Sequence, residues 1–560
     1  MALLSILVSE DEWLHSRFSG SELPDCANPV VFNRREGAIS CRIAGPSHIR
    51  FFSGETDSVF WVAEGWAAGN ERVVESMMLQ AATEWHAGNL HLSAFHSRLT
   101  RSFPHGFVVA MFQKMQPVAL VLNDCFGRLP LYSCSFGSGF MISRQIFHVH
   151  DVFPGQMADN KGRAFHLLLG FVPGDGTLWS NIKRVSPGQA LHVGLHDVKV
   201  EIVNNALKIN PDASIRPVQL VDHTRKLLAQ MADSFSHTRL ALSMSGGLDS
   251  RLLAQVFHHH QIPFRMVSYH DSACSASRDV DVARQVARCL DMPLEVVSLD
   301  EASEASYRLL HRLKMGLNYC GMAFLIPFLR GFSANELVLT GDGGDKLLAP
   351  LGGLPPFAGM KGLAGFVIRK HALMPLKWAE AFSGLEEGAI KQLLHQELMA
   401  LFRIDAAQTY ADFLLRGRAF KWLFEGEDRN RWFANHQAPL WSEPLASFLL
   451  SVPMAEKENY RLFSKLLYGY HPQAAAVANA NWGFEVGRTN AIRWLLLKQK
   501  IKHSGFVNLI PKKHSPPASS SSLPLFLAEV VPWLNSVGLS QTLGPSLSEE
   551  HYCYLRSMME

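Results

Sequence analysis

Two stretches of the chain carry residue types that handle phosphate. The first is Ser245-Gly246-Gly247-Leu248-Asp249-Ser250. It follows the largely apolar run 240–244 and precedes Leu252, Leu253, Val256 and Phe257 at helical spacing. That order predicts a strand, a tight glycine turn and a helix. Two residues without a Cβ let the backbone approach a ligand closely. Unpaired N–H groups at the helix start, aided by the helix dipole, attract an anion. Ser245 and Ser250 add hydroxyl donors. Asp249 adds a carboxylate able to hold Mg²⁺ against phosphate oxygens. The chemistry is that of a pyrophosphate cradle. It lacks the lysine of a Walker A loop.

The second stretch is Gly341-Asp342-Gly343-Gly344-Asp345-Lys346, after the apolar run Glu336 to Thr340. Alone, such a glycine–aspartate turn is most often a surface loop. Here it follows a predicted strand of the same alternating strand–helix region. Phe264–Tyr269 and Leu294–Leu299 read as further strands, and Asp279–Leu290 as a helix with Val282, Ala283, Val286, Ala287 and Leu290 on one face. Such alternation predicts a parallel sheet that binds ligands at its carboxyl edge. Both glycine corners lie on that edge. Asp249 and Asp345 are then placed to share Mg²⁺, with Asp342 left for the reacting carbonyl or amine.

The 560 residues predict two or more domains. Apolar residues at 48% are enough for full cores, and 18% charged residues exclude a disordered chain. A net charge of +3 is too mild to argue for nucleic acid. The eight cysteines are scattered without a CxxC pair, which favours free thiols in a reducing compartment. The start, Met1-Ala2-Leu3-Leu4-Ser5, has no basic region of a signal peptide. No window is long and apolar enough to span a membrane. A cytoplasmic protein without nucleic-acid or membrane partners is expected.

Residues 1–205 read as a β-rich domain, a sandwich of sheets, from short apolar stretches such as Phe107–Phe112 and Val118–Leu122 between turn signals. A helix is predicted near 71–86, and residues 206–216 read as the link to a second domain, 206–560. From about 355 the chain is predicted mostly helical. Pro511 to Pro524, with its prolines and serine run, reads as a surface loop. His258-His259-His260 falls at a helix end, where capping is favoured over metal binding.

The Ser245–Ser250 stretch matches the ATP-pyrophosphatase loop, and together with Gly341–Asp345 it resembles the asparagine synthetase family. Asp124-Cys125-Phe126-Gly127-Arg128-Leu129-Pro130-Leu131-Tyr132 is similar to that family's D-x-F-G-x-x-P-L-Y stretch. Gly170–Gly174 and Ile182–Gly188 are similar to its G-Y-V-P and I-x-x-L-x-P-G segments, and Glu427-Asp428-Arg429-Asn430 to its K-x-D-R-x-S helix. The resemblance implies an α/β protein with an N-terminal glutaminase domain of the Ntn-hydrolase type and a C-terminal synthetase. It implies adenylation of a carboxylate by ATP, release of pyrophosphate, and displacement of AMP by a nitrogen nucleophile. Ser245, Gly246, Gly247, Leu248, Asp249 and Ser250 would grip the pyrophosphate. Val267 and Ser268 would lie by the adenine, and Thr340 and Gly341 by the AMP moiety. Asp249 and Asp345 would bind Mg²⁺. Asp342, at the place of the family's catalytic Glu, and Arg429 would be catalytic.

Three departures redirect the expected function. The family's glutaminase uses Cys immediately after the initiator Met, and here that residue is Ala2. A methyl group cannot attack an amide, so glutamine hydrolysis is expected to be absent and the N-terminal domain degenerate. Asn481 stands where some relatives carry the Lys of K-x-G-F, leaving the catalytic cation unassigned. The block after Arg429 also diverges from the family, which points to a changed acceptor pocket. Loss of the nucleophile with retention of the ATP site resembles β-lactam synthetase and lasso-peptide macrolactam synthetase. In that branch an amine of the substrate attacks an adenylated carboxylate, and proximity supplies much of the rate. The expected partners are a carboxylate substrate, in the lasso case a precursor peptide, and its processing protease. The alternatives are an amidotransferase using ammonia on a small acid, sugar acid or peptide, and an inactive scaffold that keeps the fold. Aromatic residues such as Trp422, Trp432, Phe433, Trp441 and Trp482 are expected mostly in the core.

Overall fold

The computed structural model describes the chain except residues 1–3, 27–28, 68–70, 138, 205, 208–216, 272–275, 350, 352–358, 504–522, 537–546 and 560. Ala2, Cys274, most of the 206–216 link and most of the Pro511–Pro524 stretch therefore lie outside the described residues.

The N-terminal half holds two six-stranded antiparallel sheets. One runs in the order Ile182–Arg184, Tyr132–Phe136, Gly139–Ser143, Ser5–Val8, Ile39–Gly45, Val30–Glu36. The other runs Val198–Ile202, Gln189–Val193, Ala119–Asn123, Phe107–Gln113, Val59–Gly65, Phe51–Glu55. Alternate side chains of one strand serve two cores, because successive strand residues face opposite ways. Val108, Ala110 and Phe112 meet Ile6, Val8, Ile39 and Ile43 between the sheets. Phe107, Val109 and Met111 pack outward against Val74, Met78, Phe95 and Leu99, from the helices Glu71–His86 and Leu92–Ser102. The second sheet is thus buried on both faces, which explains its near-continuous apolar runs. The sandwich and the 71–86 helix are as the sequence predicts.

The C-terminal half holds a five-stranded parallel sheet, ordered Leu294–Ser298, Phe264–His270, Arg239–Ser243, Glu336–Leu339, Asn435–Gln437. Asp249–His259 and Ser277–Cys289 are the first crossover helices. The fifth strand is absent from the sequence-based prediction: it is three residues long and has no apolar alternation. The rest of this half is mostly helical and includes a ten-residue π-helix, Leu414–Leu423, that leads directly into the helix Phe424–Asn430. Among the described residues no helix is long and apolar enough to cross a membrane. The seven described cysteines are free.

The two halves meet across a buried charge network centred on the Phe424–Asn430 helix. Glu427 pairs with Arg128 and Arg431, and Asp428 with Arg144 and Lys314. Glu425 accepts from Tyr132 Oη at 2.6 Å and from Lys314 Nζ at 2.9 Å. Burial alone would raise these three carboxyls, but the surrounding cations hold each below its ordinary range. The exception is Glu64, which shares Arg144 with Asp428 and is raised by burial.

Candidate active site

Both glycine corners sit at the carboxyl edge of the parallel sheet and line one cavity of about 600 Å³. That size suits a small-molecule ligand. The first corner joins the Arg239–Ser243 strand to the Asp249–His259 helix. The second follows the neighbouring strand, whose Leu339 lies in register with Leu242. Parallel pairing of adjacent strands is what brings residues a hundred positions apart into contact.

The corners touch. The backbone N–H of Asp345 donates to Asp249 Oδ2 at 3.2 Å. At Gly341 a Cβ would come 2.4 Å from the Ser250 nitrogen, so only glycine permits this approach. Gly343 adopts φ 78° at the start of the short helix Gly344–Leu348. Burial, and then the Asp345 charge, raise the Asp249 carboxyl well above its ordinary range. Lys346 pairs with Asp345 and opposes that rise. Asp249 has no side-chain cation partner among the described residues, whereas Asp345 is paired with Lys346. The Asp342 carboxyl is open to the cavity, yet the cavity walls limit its hydration and raise it. It accepts from Thr340 Oγ1 at 2.9 Å.

Most of the predicted residues converge here. Ser245, Gly247, Asp249, Ser250, Ser268, Thr340, Gly341, Asp342, Asp345 and Arg429 all line the cavity. Three predicted nucleotide contacts do not. Val267 is 1% exposed and packs into the core below the sheet, because strand alternation turns it away from Ser268. Leu248 is likewise a core side chain. The Gly246 N–H is already taken, donating to Asp279 Oδ1 at 2.9 Å. Its carbonyl accepts from Ala480 N at 3.1 Å. Arg251 holds this 480 segment down, with Nη1 donating to Val477 O at 2.6 Å. Asn481 itself is exposed and brings no cation to the loop.

Arg429 is the buried cation of the cavity. Its Nη1 donates to Asn318 Oδ1 at 2.7 Å and to Tyr319 O at 3.0 Å, which fixes the guanidinium plane. Burial brings it down to about 10, and the Asp342 carboxylate works against that. Glu427 and His436 also line the cavity, though sequence reasoning assigned them no role. Glu427 sits in what reads as an ordinary charged run, and nothing in sequence shows its distant partners. Of the aromatic residues, Trp432, Phe433 and Trp441 are core, whereas Trp422 lines the cavity. Trp482 packs against Tyr460 at 4.8 Å between ring centroids.

Among the described residues no group of three or more His, Cys, Asp and Glu has metal-binding geometry, so any cation here would also rest on ligand oxygens.

Residues 224–468 match the family model described as asparagine synthase. No curated protein matches the chain. Among solved structures, the chain is similar to "glutamine phosphoribosylpyrophosphate (PRPP) amidotransferase from B. subtilis complexed with ADP and GMP", with TM-score 0.24 and 12% identity over 63% of this chain and 83% of that one. It is similar to the "allosteric regulatory enzyme of purine biosynthesis", with TM-score 0.23 and 12% identity over 54% of this chain and 81% of that one. It is also similar to NMN synthetase from Francisella tularensis, with TM-score 0.19 and 14% identity over 36% of this chain and 93% of that one. The cavity and both glycine corners lie inside the matched 224–468 region, and that match supports the asparagine synthetase family and ATP as the nucleotide.

Proposed function

We propose that the chain is an AMP-forming carbon–nitrogen ligase. ATP adenylates a substrate carboxylate, pyrophosphate leaves, and an amine of the same substrate attacks the acyl carbon to close a ring. The observation that carries this is the contact of the two acidic glycine corners, Asp345 N–H to Asp249 Oδ2 at 3.2 Å, in one cavity with Arg429. Ser245 and the N–H groups at the start of the Asp249–His259 helix hold the pyrophosphate. Asp249 and Asp345 would hold Mg²⁺, which would offset phosphate charge as the leaving group departs. Arg429, planar and fixed by Asn318, orients the acyl phosphate or the substrate carboxylate. Asp342 faces the reacting centre.

Ala2 stands in place of a nucleophilic cysteine, so the amine comes from the substrate and not from glutamine. A precursor peptide in a lasso-type cyclisation fits this scheme, with a processing protease as partner. Exchange of labelled pyrophosphate into ATP, across a panel of amino acids and peptides, tests the proposal. Exchange with at least one acid is expected, and none with any acid would refute it. Activity only with added ammonium would favour an ammonia-using amidotransferase.

A further inference from the structure

Amide formation from an acyl adenylate releases a proton. Arg429 is a cation, Asp249 and Asp345 are assigned to Mg²⁺, and one Asp342 oxygen accepts from Thr340 Oγ1. His436 differs. It lies in the Asn435–Gln437 strand opposite Val338, which lines the same cavity. It is 2% exposed, yet neither Nδ1 nor Nε2 has a hydrogen-bond partner among the described residues. Buried polar side chains are nearly always bonded, so two idle ring nitrogens require a reason. His436 lines the nucleotide-edge cavity. It also lines a smaller cavity of about 60 Å³ shared with His48, Glu64 and Trp66, which is room for water. Burial holds the imidazole down at about 4, so it is neutral near pH 7 with a lone pair available. Glu427 faces it from the Phe424–Asn430 helix and favours the protonated ring, while Arg431, Arg128 and Arg429 oppose it.

We propose that His436 accepts the proton of the attacking amine, an inference that rests on the ligase function above. The nitrogen lone pair forms the C–N bond at the acyl carbon. The N–H bond gives its electron pair to nitrogen as the proton passes to the imidazole. The C–O bond to AMP breaks with its pair on the phosphate oxygen, and AMP leaves as an anion. A weak base suffices, because nitrogen bonded to the acyl carbon is cationic and strongly acidic. The Glu427 carboxylate stabilises the imidazolium until the proton escapes to water.

The test separates the two half-reactions, using the acid that supports pyrophosphate exchange in the wild-type protein. His436→Ala and His436→Asn should retain exchange, and amide formation should fall about 10²- to 10⁴-fold. Imidazole added to the His436→Ala protein should restore part of the lost rate, which a packing role alone would not allow. Amide formation at the wild-type rate in both variants overturns the inference and leaves the ligase function standing. Equal loss of both half-reactions without imidazole rescue overturns it too. Absence of exchange in the wild type with every acid refutes the ligase function, and this inference with it.

Discussion

Arg144 of the N-terminal half donates from Nη2 to Asp428 Oδ1 at 2.7 Å, one residue before Arg429. Both side chains are fully buried. The same guanidinium reaches Glu64 at 3.1 Å, and Asp428 reaches on to Lys314. The N-terminal half is therefore tied to the helix that carries the cavity's cation. Removing Arg144 leaves Glu64 buried without its cation and Asp428 with Lys314 and the more distant Arg431. Arg144→Ala should destabilise the protein by about 3–5 kcal/mol, measured by urea unfolding. A loss below about 1 kcal/mol, the size of an exposed pair, would mean the network is hydrated.

Asp249→Asn separates stability from activity. The Asp249 carboxyl is raised well above its ordinary range, by burial and then by Asp345. An acid raised on folding stabilises the fold fully only below its unfolded value, and that contribution is lost as pH rises through the folded one. Without Mg²⁺ at neutral pH, the charged form therefore costs stability that the Asn variant does not lose. We expect the variant to unfold later in urea at pH 7, by on the order of 1 kcal/mol, with the gain disappearing below about pH 4. Pyrophosphate exchange should be abolished. A variant that still exchanges would remove Asp249 from the site.

The chemistry-bearing loops were legible because glycine, serine and aspartate act through backbone freedom and local hydrogen bonds, which sequence displays. The parallel sheet was legible from strand–helix alternation. What stayed hidden depends on distance along the chain. Glu427 gains its meaning from Arg128, 299 positions away. The Asn435–Gln437 strand is recognisable only beside Glu336–Leu339, and His436 enters the cavity only through that pairing. Asp279 caps the Gly246 N–H from another helix, and the N–H groups of Ser245 and Gly247 donate to Ser250 Oγ and Ser245 Oγ, so a loop that reads as all donors has three of them already used. Val267 and Ser268 read as a pair, yet strand alternation sends one to the core and the other to the cavity.

The helix network also sets a response to acid. Burial alone would raise Glu425, Glu427 and Asp428, but Lys314, Arg128, Arg144 and their neighbours hold each below its ordinary range. Carboxyls depressed on folding stabilise the protein above their unfolded values, near about 4, and that contribution is lost as pH falls through the folded ones. Stability should hold from neutral pH down to the ordinary carboxylate range and decline below it. Glu427→Gln should lower stability at pH 7 and flatten the acid limb, read from urea midpoints at successive pH values. Equal acid sensitivity in variant and wild type would exclude Glu427 as a major contributor.

Gly341→Ala tests the closeness of the two corners directly. A Cβ there would stand 2.4 Å from Ser250 N and 2.7 Å from both the carbonyl carbon and Cβ of Asp249. These are backbone and near-backbone atoms at a helix start, so no side-chain rotation relieves the contact. The strand end must move away from the loop, at a cost of about 1–3 kcal/mol typical of overpacking. The cost in function should be larger than the cost in stability. Asp345 N–H would lose its 3.2 Å contact with Asp249, and the two carboxylates would no longer face one cation. We expect a folded protein with a lowered urea midpoint, pyrophosphate exchange below detection, and Mg-ATP binding weakened in calorimetry. An alanine variant with wild-type exchange would show that the corners act independently, and the shared-cation geometry would have to be abandoned.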